Sequence, residues 1–183
     1  MEVDGPVAVD RAIYIVVACC KELSRRDIRG PITPAMIELA SDGTVIVGDP
    51  IESPHSLGYA APELVNSARS ATTMTAQRVP GGTRQSGFVE PRLVSDSERA
   101  RWVVFGLGCV LWELLAGRPL FRGSTDYQSA ELAGACRVPA LDVPADLEKI
   151  VRTALAKDPE ARYQTPSQLA SALTDYLIES TQS

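Results

Sequence analysis

Apolar residues recur along the first part of the chain with the spacing of an α-helix. They fall at i, i+3, i+4, i+7, i+8 and i+11, which places one apolar stripe along a helix. The residues of this stripe are Val9, Ala12, Ile13, Val16, Val17 and Cys20. Asp10 near the start and Lys21 near the end are suitably placed to interact with the helix dipole. The pattern predicts an amphipathic helix over residues 7–23.

The pattern of the next segment is that of a β-hairpin. Residues 36–39 alternate between apolar and less apolar positions, and residues 44–47 are β-branched throughout. Between these two runs lies Asp42-Gly43, a dipeptide that favours a tight hairpin turn. We therefore predict a small hairpin within residues 36–49.

The second half of the chain predicts four more helices. Residues 101–116 are apolar almost all round, which is typical of a helix buried on every side, and Gly117 follows as a stop signal. Capping patterns and first-turn prolines open three shorter helices near residues 126, 144 and 166. The predicted fold class is mainly α, a helical domain with one small β-hairpin. Residues 1–183 are expected to form a single domain.

Residues 64–100 differ in composition from the rest of the chain. Positions 64–89 contain no acidic residue and three arginines, and Ser, Thr, Gln and Gly dominate around Pro80-Gly81-Gly82. This composition predicts a flexible insertion or an extended loop. The alternative is a docking or phosphorylation segment, because arginines lie close to hydroxyl side chains. The candidate phosphorylation sites are Ser67, Ser70, Thr72, Thr73, Thr75 and Thr83.

Composition and charge exclude several classes of function. Lys and Arg number 18 and Asp and Glu number 23, which gives a net charge of −5, whereas a nucleic-acid binder needs a basic face. The longest apolar run, residues 103–115, is shorter than the roughly 20 residues that span a membrane. No signal-peptide pattern opens the chain. We expect a cytoplasmic protein with no nucleic-acid or membrane partner.

The chain offers little material for a metal site. Its four cysteines are Cys19, Cys20, Cys109 and Cys136, with no Cys-x-x-Cys spacing, and its one histidine is His55. Zinc sites need four such ligands at characteristic spacings. We expect four buried, reduced cysteines, no metal and no cofactor.

Three motifs in the second half of the chain resemble, in order, those of a known family. They are GYAAPE at residues 58–63, FGLGCVLWELLAGRPLF at 105–121 and ALAKDPEARY at 154–163. Together they resemble the C-terminal lobe of bacterial eukaryotic-like Ser/Thr protein kinases. The resemblance extends from the first predicted helix onward and implies a kinase C-lobe fold.

The resemblance also implies one structural ion pair. In the family, the glutamate at the position of Glu63 closes the activation segment. The resemblance therefore implies that Glu63 pairs with Arg162, which lies between the last two helices. A buried Arg–carboxylate fork is a strong interaction. A degraded second match at residues 87–92 ends in Arg92, which would repel Arg162. Glu63 is therefore the preferred partner, and the alternative is that residues 87–92 close the activation segment.

The residues on which kinase chemistry depends are replaced at the matching positions. The family's catalytic loop, His-Arg-Asp-x-x-x-x-Asn, aligns with residues 29–36. Pro31 then stands at the position of the catalytic Asp, and Met36 at that of the metal-binding Asn. Of the family's Asp-Phe-Gly motif only Asp49 remains, and it can equally be a turn residue. The aspartate that braces the catalytic loop falls at Val103. We also expect the chain to begin after the family's N-terminal lobe, which carries the phosphate-binding loop and lysine.

These substitutions predict a pseudokinase and not an enzyme. We expect a protein-interaction or regulatory scaffold in signalling, whose partner is an active kinase, a kinase substrate or a second copy in a homodimer. The face that meets the other lobe in the family is expected to be apolar and uncovered around Met36, Leu39, Ile46 and Val47. Two alternatives stay open. One is a C-lobe completed by another chain as a working kinase, and the other is a decaying kinase remnant.

Overall fold

The computed structural model describes residues 5–26, 31–49, 56–67 and 95–181. These contain six helices: α1 (Val9–Leu23), α2 (62–67), α3 (Asp96–Ala116), α4 (Asp126–Ala135), α5 (Ala145–Ala154) and α6 (Pro166–Ser180). Strands β1 (Ile37–Leu39) and β2 (Val45–Val47) form one antiparallel sheet, and 3-10 turns lie at Pro34–Met36, Ser56–Tyr59 and Pro159–Ala161. The predicted fold class, mainly α with one small hairpin, is confirmed.

Helix α3 is the centre of the fold. Every residue from Val103 to Leu115 is buried, and α1, α5 and α6 all pack against this helix. Gly106 allows the segment at residue 32 to pack closely on the helix, since a Cβ atom at Gly106 would lie 3.0 Å from the Cβ of Ile32 and 3.1 Å from its backbone nitrogen. The helix ends at Gly117, whose φ of 66° is in the left-handed region. An all-round apolar helix is buried here because other helices and the segment at residue 32 surround it.

Helix α3 begins at Asp96, earlier than the predicted start at residue 101. The hydroxyl of Ser95 accepts a hydrogen bond from the backbone of Glu98, and the Glu98 carboxylate accepts one from the backbone of Ser95. This capping box satisfies two backbone N–H groups at the helix start. The predicted loop at 64–100 is therefore wrong at both ends, because residues 64–67 are helical in α2 and residues 96–100 belong to α3. The remainder of that prediction, residues 68–94, lies outside the described residues.

The shorter helices begin close to their predicted starts. At α4 the Thr125 hydroxyl accepts a hydrogen bond from the backbone of Gln128, as a capping box requires. The Gln128 side chain, however, accepts from the backbone of Ser124 instead of Thr125. The same offset occurs at α6, where Gln168 accepts from the backbone of Gln164. Both helix starts are thus capped, each by a modified form of the predicted motif.

The hairpin is shorter than predicted and packs on α1. Its register pairs Glu38 with Ile46, and the side chain of Asp42 accepts a hydrogen bond from the backbone of Thr44 across the turn. The Tyr14 hydroxyl of α1 donates to the carbonyl of Gly43 at 3.2 Å. The hairpin therefore lies against the first helix.

Three of the four cysteines are buried and Cys136 is only half-buried, so the expectation of four buried thiols was wrong for that residue. Burial raises the pKa of both Cys19 and Cys20 to about 12, which keeps these thiols protonated at neutral pH. In the described ranges, no three Cys, His, Asp or Glu side chains converge as metal ligands. None of the helices described is long and apolar enough to cross a membrane.

Candidate functional site

The structure brings together Glu63 and Arg162, the two residues that the sequence motifs paired. Arg162 donates from Nη1 to Glu63 Oε1 at 2.9 Å and from Nη2 to Glu63 Oε2 at 2.8 Å. The Arg162 side chain is fully buried, and that of Glu63 is 29% exposed. This two-bond geometry is the strong form of an Arg–carboxylate interaction. Residues 87–92, the alternative partner segment, lie outside the described residues.

Arg162 also binds three backbone carbonyls. Its Nε donates to Ala156 at 2.6 Å, Nη2 donates to Lys157 at 3.2 Å, and Nη1 has a longer contact of 3.4 Å with Arg101. With the two bonds to Glu63, all five guanidinium N–H groups have acceptors. The guanidinium carbon also lies 4.9 Å from the centroid of the Phe105 ring. One buried cation therefore holds α2, α3 and the loop after α5 together.

A second buried carboxylate, Glu113 of α3, binds the segment that precedes α2. The Tyr59 hydroxyl donates to Glu113 Oε2 at 2.9 Å, and the backbone N–H of Leu120 donates to Oε1 at 2.9 Å. Burial raises the pKa of Glu113 above its usual 4.5, and burial likewise raises the pKa of Tyr59. We did not identify this residue from the sequence. The signal was present, because Glu113 is the one charged residue in the run 103–115.

The segment at residues 31–36, which the resemblance aligns with the family's catalytic loop, packs into the core. Met36 is only 2% exposed, and its carbonyl accepts a hydrogen bond from the backbone of Gly48 at 2.7 Å. Pro31 is half-buried, and Ile32 between them lies against Gly106. Asp49 follows Gly48 directly, so the structure brings the Met36 and Asp49 positions to the same place. Neither a proline ring nor a buried thioether can act as a base or as a magnesium ligand.

The face expected to be apolar and uncovered is largely covered by the chain itself. Met36 is buried and Val47 is only 6% exposed, because the hairpin packs on α1 and both residues join the main core. Leu39 is half-buried. Only Ile46, at 49% exposure, matches the expectation.

Three of the six large exposed apolar side chains of the described residues lie on α4 or on the turn that packs against it. Leu57, Tyr127 and Leu132 are 44%, 63% and 44% exposed, and the turn that carries Leu57 packs on α4. Beside them an open cleft of about 630 Å³ lies between α2 and α4. Its lining comprises Asn66, Gly123, Gln128, Glu131, Leu132, Gly134 and Ala135. Sequence analysis did not identify this cleft, since the patterns there predict only helices.

Comparison with curated proteins shows that the chain is homologous to bacterial serine/threonine protein kinases, in agreement with the three motifs. It is 31% identical over 182 residues to serine/threonine-protein kinase PknB of Mycobacterium tuberculosis, an alignment that covers 93% of this chain and 27% of the relative. The corresponding kinase of Mycobacterium leprae is 32% identical over 182 residues. A probable PknB of Corynebacterium glutamicum is 29% identical over 184 residues. The chain spans about a quarter of the length of these relatives, and no protein-family model matches it.

Replacing Glu63 by Gln is expected to destabilise the fold, because a fully buried guanidinium would lose its counter-charge. We expect a loss of about 2–4 kcal/mol in the free energy of unfolding, measured by urea denaturation. The control is Glu148→Gln, which removes the i,i+4 pair with Arg152, whose side chain is 48% exposed, and should destabilise the fold much less because no fully buried charge loses its partner. Equal effects of the two substitutions would contradict a structural role for the buried pair.

Replacing Glu113 by Gln is expected to change how stability depends on pH. Because the native pKa of Glu113 is raised, the native state holds this proton more tightly than the unfolded state does. Its contribution to stability is present below pH 4.5 and is lost as pH rises through the native pKa. The unfolding free energy of Glu113→Gln relative to the unmodified chain should therefore increase across that pH range.

Glu148→Gln is the control for the sign of this effect. The hydrogen bond from Arg152 lowers the pKa of Glu148, so its contribution is present above pH 4.5 and is lost as pH falls. Denaturation series from pH 3.5 to 7 should show opposite trends for the two variants. A pH-independent difference for Glu113→Gln would contradict the assignment.

Proposed function

We propose that this chain is a pseudokinase, a kinase-fold module that transfers no phosphate and acts as a protein-interaction or regulatory scaffold in signalling. The observation that carries the proposal is a contrast between two parts of the same lobe. The Glu63–Arg162 pair and the Tyr59–Glu113 contact form a complete, fully hydrogen-bonded frame. The segment at residues 31–36 offers no group for phosphoryl transfer.

The chemical argument concerns what phosphoryl transfer requires. A carboxylate must orient the acceptor hydroxyl, and oxygen ligands must hold the magnesium ions. At the matching positions this chain has Pro31 and a buried Met36. A second chain that supplied the rest of a kinase would leave both positions unchanged. The pseudokinase is therefore favoured over a kinase half completed by another chain.

The surface argument concerns where a protein partner would bind. At the hairpin, Ile46 and the adjacent Tyr14 of α1 are 49% and 53% exposed, whereas Met36 and Val47 are buried, so the need for a cover there is reduced. The cleft between α2 and α4 is a concave surface lined by the exposed apolar side chain of Leu132, and Tyr127 on the same helix is also exposed. We propose that the partner, an active kinase, one of its substrates or a second copy, binds at this cleft. The net charge of −5 and the buried free thiols support a cytoplasmic setting.

A phosphotransfer assay tests the catalytic part of the proposal. With radiolabelled ATP, Mg²⁺ or Mn²⁺ and a generic protein substrate, we expect no incorporation above that of a blank. We also expect no rise in melting temperature with Mg-ATP, since a ligand that binds only the native state would raise it. Asp49→Asn is the matched control for contamination. Incorporation by the unmodified chain that Asp49→Asn abolishes would contradict the proposal.

Substitution at the cleft tests the interaction part. With a partner identified by affinity capture from the native host, we expect Leu132→Ser to weaken binding of the purified partner at least tenfold, measured by calorimetry. Ile178→Ser, at another exposed apolar side chain in α6, is the matched control and should leave the affinity unchanged. Equal affinities for the Leu132→Ser variant and the unmodified chain would exclude the cleft as the binding site.

A further inference from the structure

The side chains near Asp49 do not fit a magnesium ion. Magnesium prefers carboxylate and other oxygen ligands in near-octahedral geometry. Of the three positions that match the kinase metal and catalytic residues, only Asp49 carries such an oxygen, because the others are Pro31 and Met36. A single carboxylate leaves most of the coordination sphere to water. What the structure places at this carboxylate is a cation from the chain itself.

That cation is Arg26, which lies just beyond the C-terminal end of α1. Its Nη2 donates to Asp49 Oδ1 at 2.5 Å, and its Nη1 donates to the carbonyl of Val47 in β2 at 2.5 Å. The Arg26 side chain is 28% exposed and that of Asp49 is 88% exposed. The guanidinium thus bridges the end of α1, the end of β2 and the carboxylate.

The hydrogen bond from Arg26 to the Val47 carbonyl helps to fix the position of the guanidinium group. An exposed ion pair alone contributes little to stability, because two mobile side chains must be ordered to form it. Here the Val47 carbonyl belongs to a hydrogen-bonded strand and holds one side of the planar guanidinium fork. The other side is then directed at Asp49 without further ordering, which is an advantage that arginine has over lysine.

We infer that Arg26 is the built-in counter-ion of Asp49 and weakens the binding of divalent cations at this carboxylate. The inference rests on the proposed function and deepens it, since it assigns to one residue the loss of metal binding at the remaining acidic position. Neutralising Arg26 should leave Asp49 with its charge and no partner at that oxygen. A divalent cation would then bind weakly at the Asp49 carboxylate.

The test is paramagnetic broadening of the chain's amide NMR signals by Mn²⁺. With 1 mM Mn²⁺, the amides of Gly48 and Asp49 in the unmodified chain should broaden no more than those of other exposed acidic residues. In Arg26→Gln we expect at least threefold greater broadening at these two amides. The double variant Arg26→Gln, Asp49→Asn should lose that gain, and Arg25→Gln should match the unmodified chain.

The outcomes separate this inference from the proposed function. Equal broadening in the unmodified chain and in Arg26→Gln would overturn the role of Arg26, whether or not phosphate is transferred. Broadening that persists in the double variant would overturn the role of Asp49. Phosphotransfer by the unmodified chain would overturn the proposed function, and the Mn²⁺ titration would still report on Arg26. Signal dispersion in the metal-free spectra confirms that each variant is folded.

Discussion

The fold depends on the cost of burying one positive charge. A guanidinium removed from water destabilises a protein by several kcal/mol unless its charge and all its N–H groups are matched. Arg162 meets that condition with the two oxygens of Glu63 and three backbone carbonyls. Those acceptors come from α2, from α3 and from the loop after α5, so these three parts must be positioned together. The segment that leads to α2 is further held by the Tyr59–Glu113 contact.

This frame involves neither residues 31–36 nor Asp49, so its hydrogen bonds do not depend on which side chains stand at those positions. Met36 is buried in the hydrophobic core, and Arg26 donates a hydrogen bond to one oxygen of Asp49, whose side chain remains 88% exposed. Both positions therefore contact other parts of the same chain.

The packing of the hairpin on α1 also covers most of the face that was expected to be apolar and exposed. An exposed apolar face around Met36, Leu39, Ile46 and Val47 would need a partner to shield it from water. Met36 and Val47 are instead buried, because the hairpin packs against α1 and the core. On α4, Tyr127 and Leu132 are 63% and 44% exposed, and Leu132 lines a cleft. The chain spans about a quarter of the length of its curated kinase relatives.

The sequence by itself determined the features that depend on near neighbours. The helix α1, the Asp42-Gly43 turn and the capped starts of α4 and α6 follow from residues within a few positions of one another, and the motif resemblance supplied the Glu63–Arg162 pair. The early start of α3 was missed because the Ser95–Glu98 cap adjoins a stretch with the composition of a loop. Only the tertiary structure decided that Met36 is buried and that Arg26 meets Asp49. Both depend on contacts between residues far apart in the chain, and local periodicity carries no information about those.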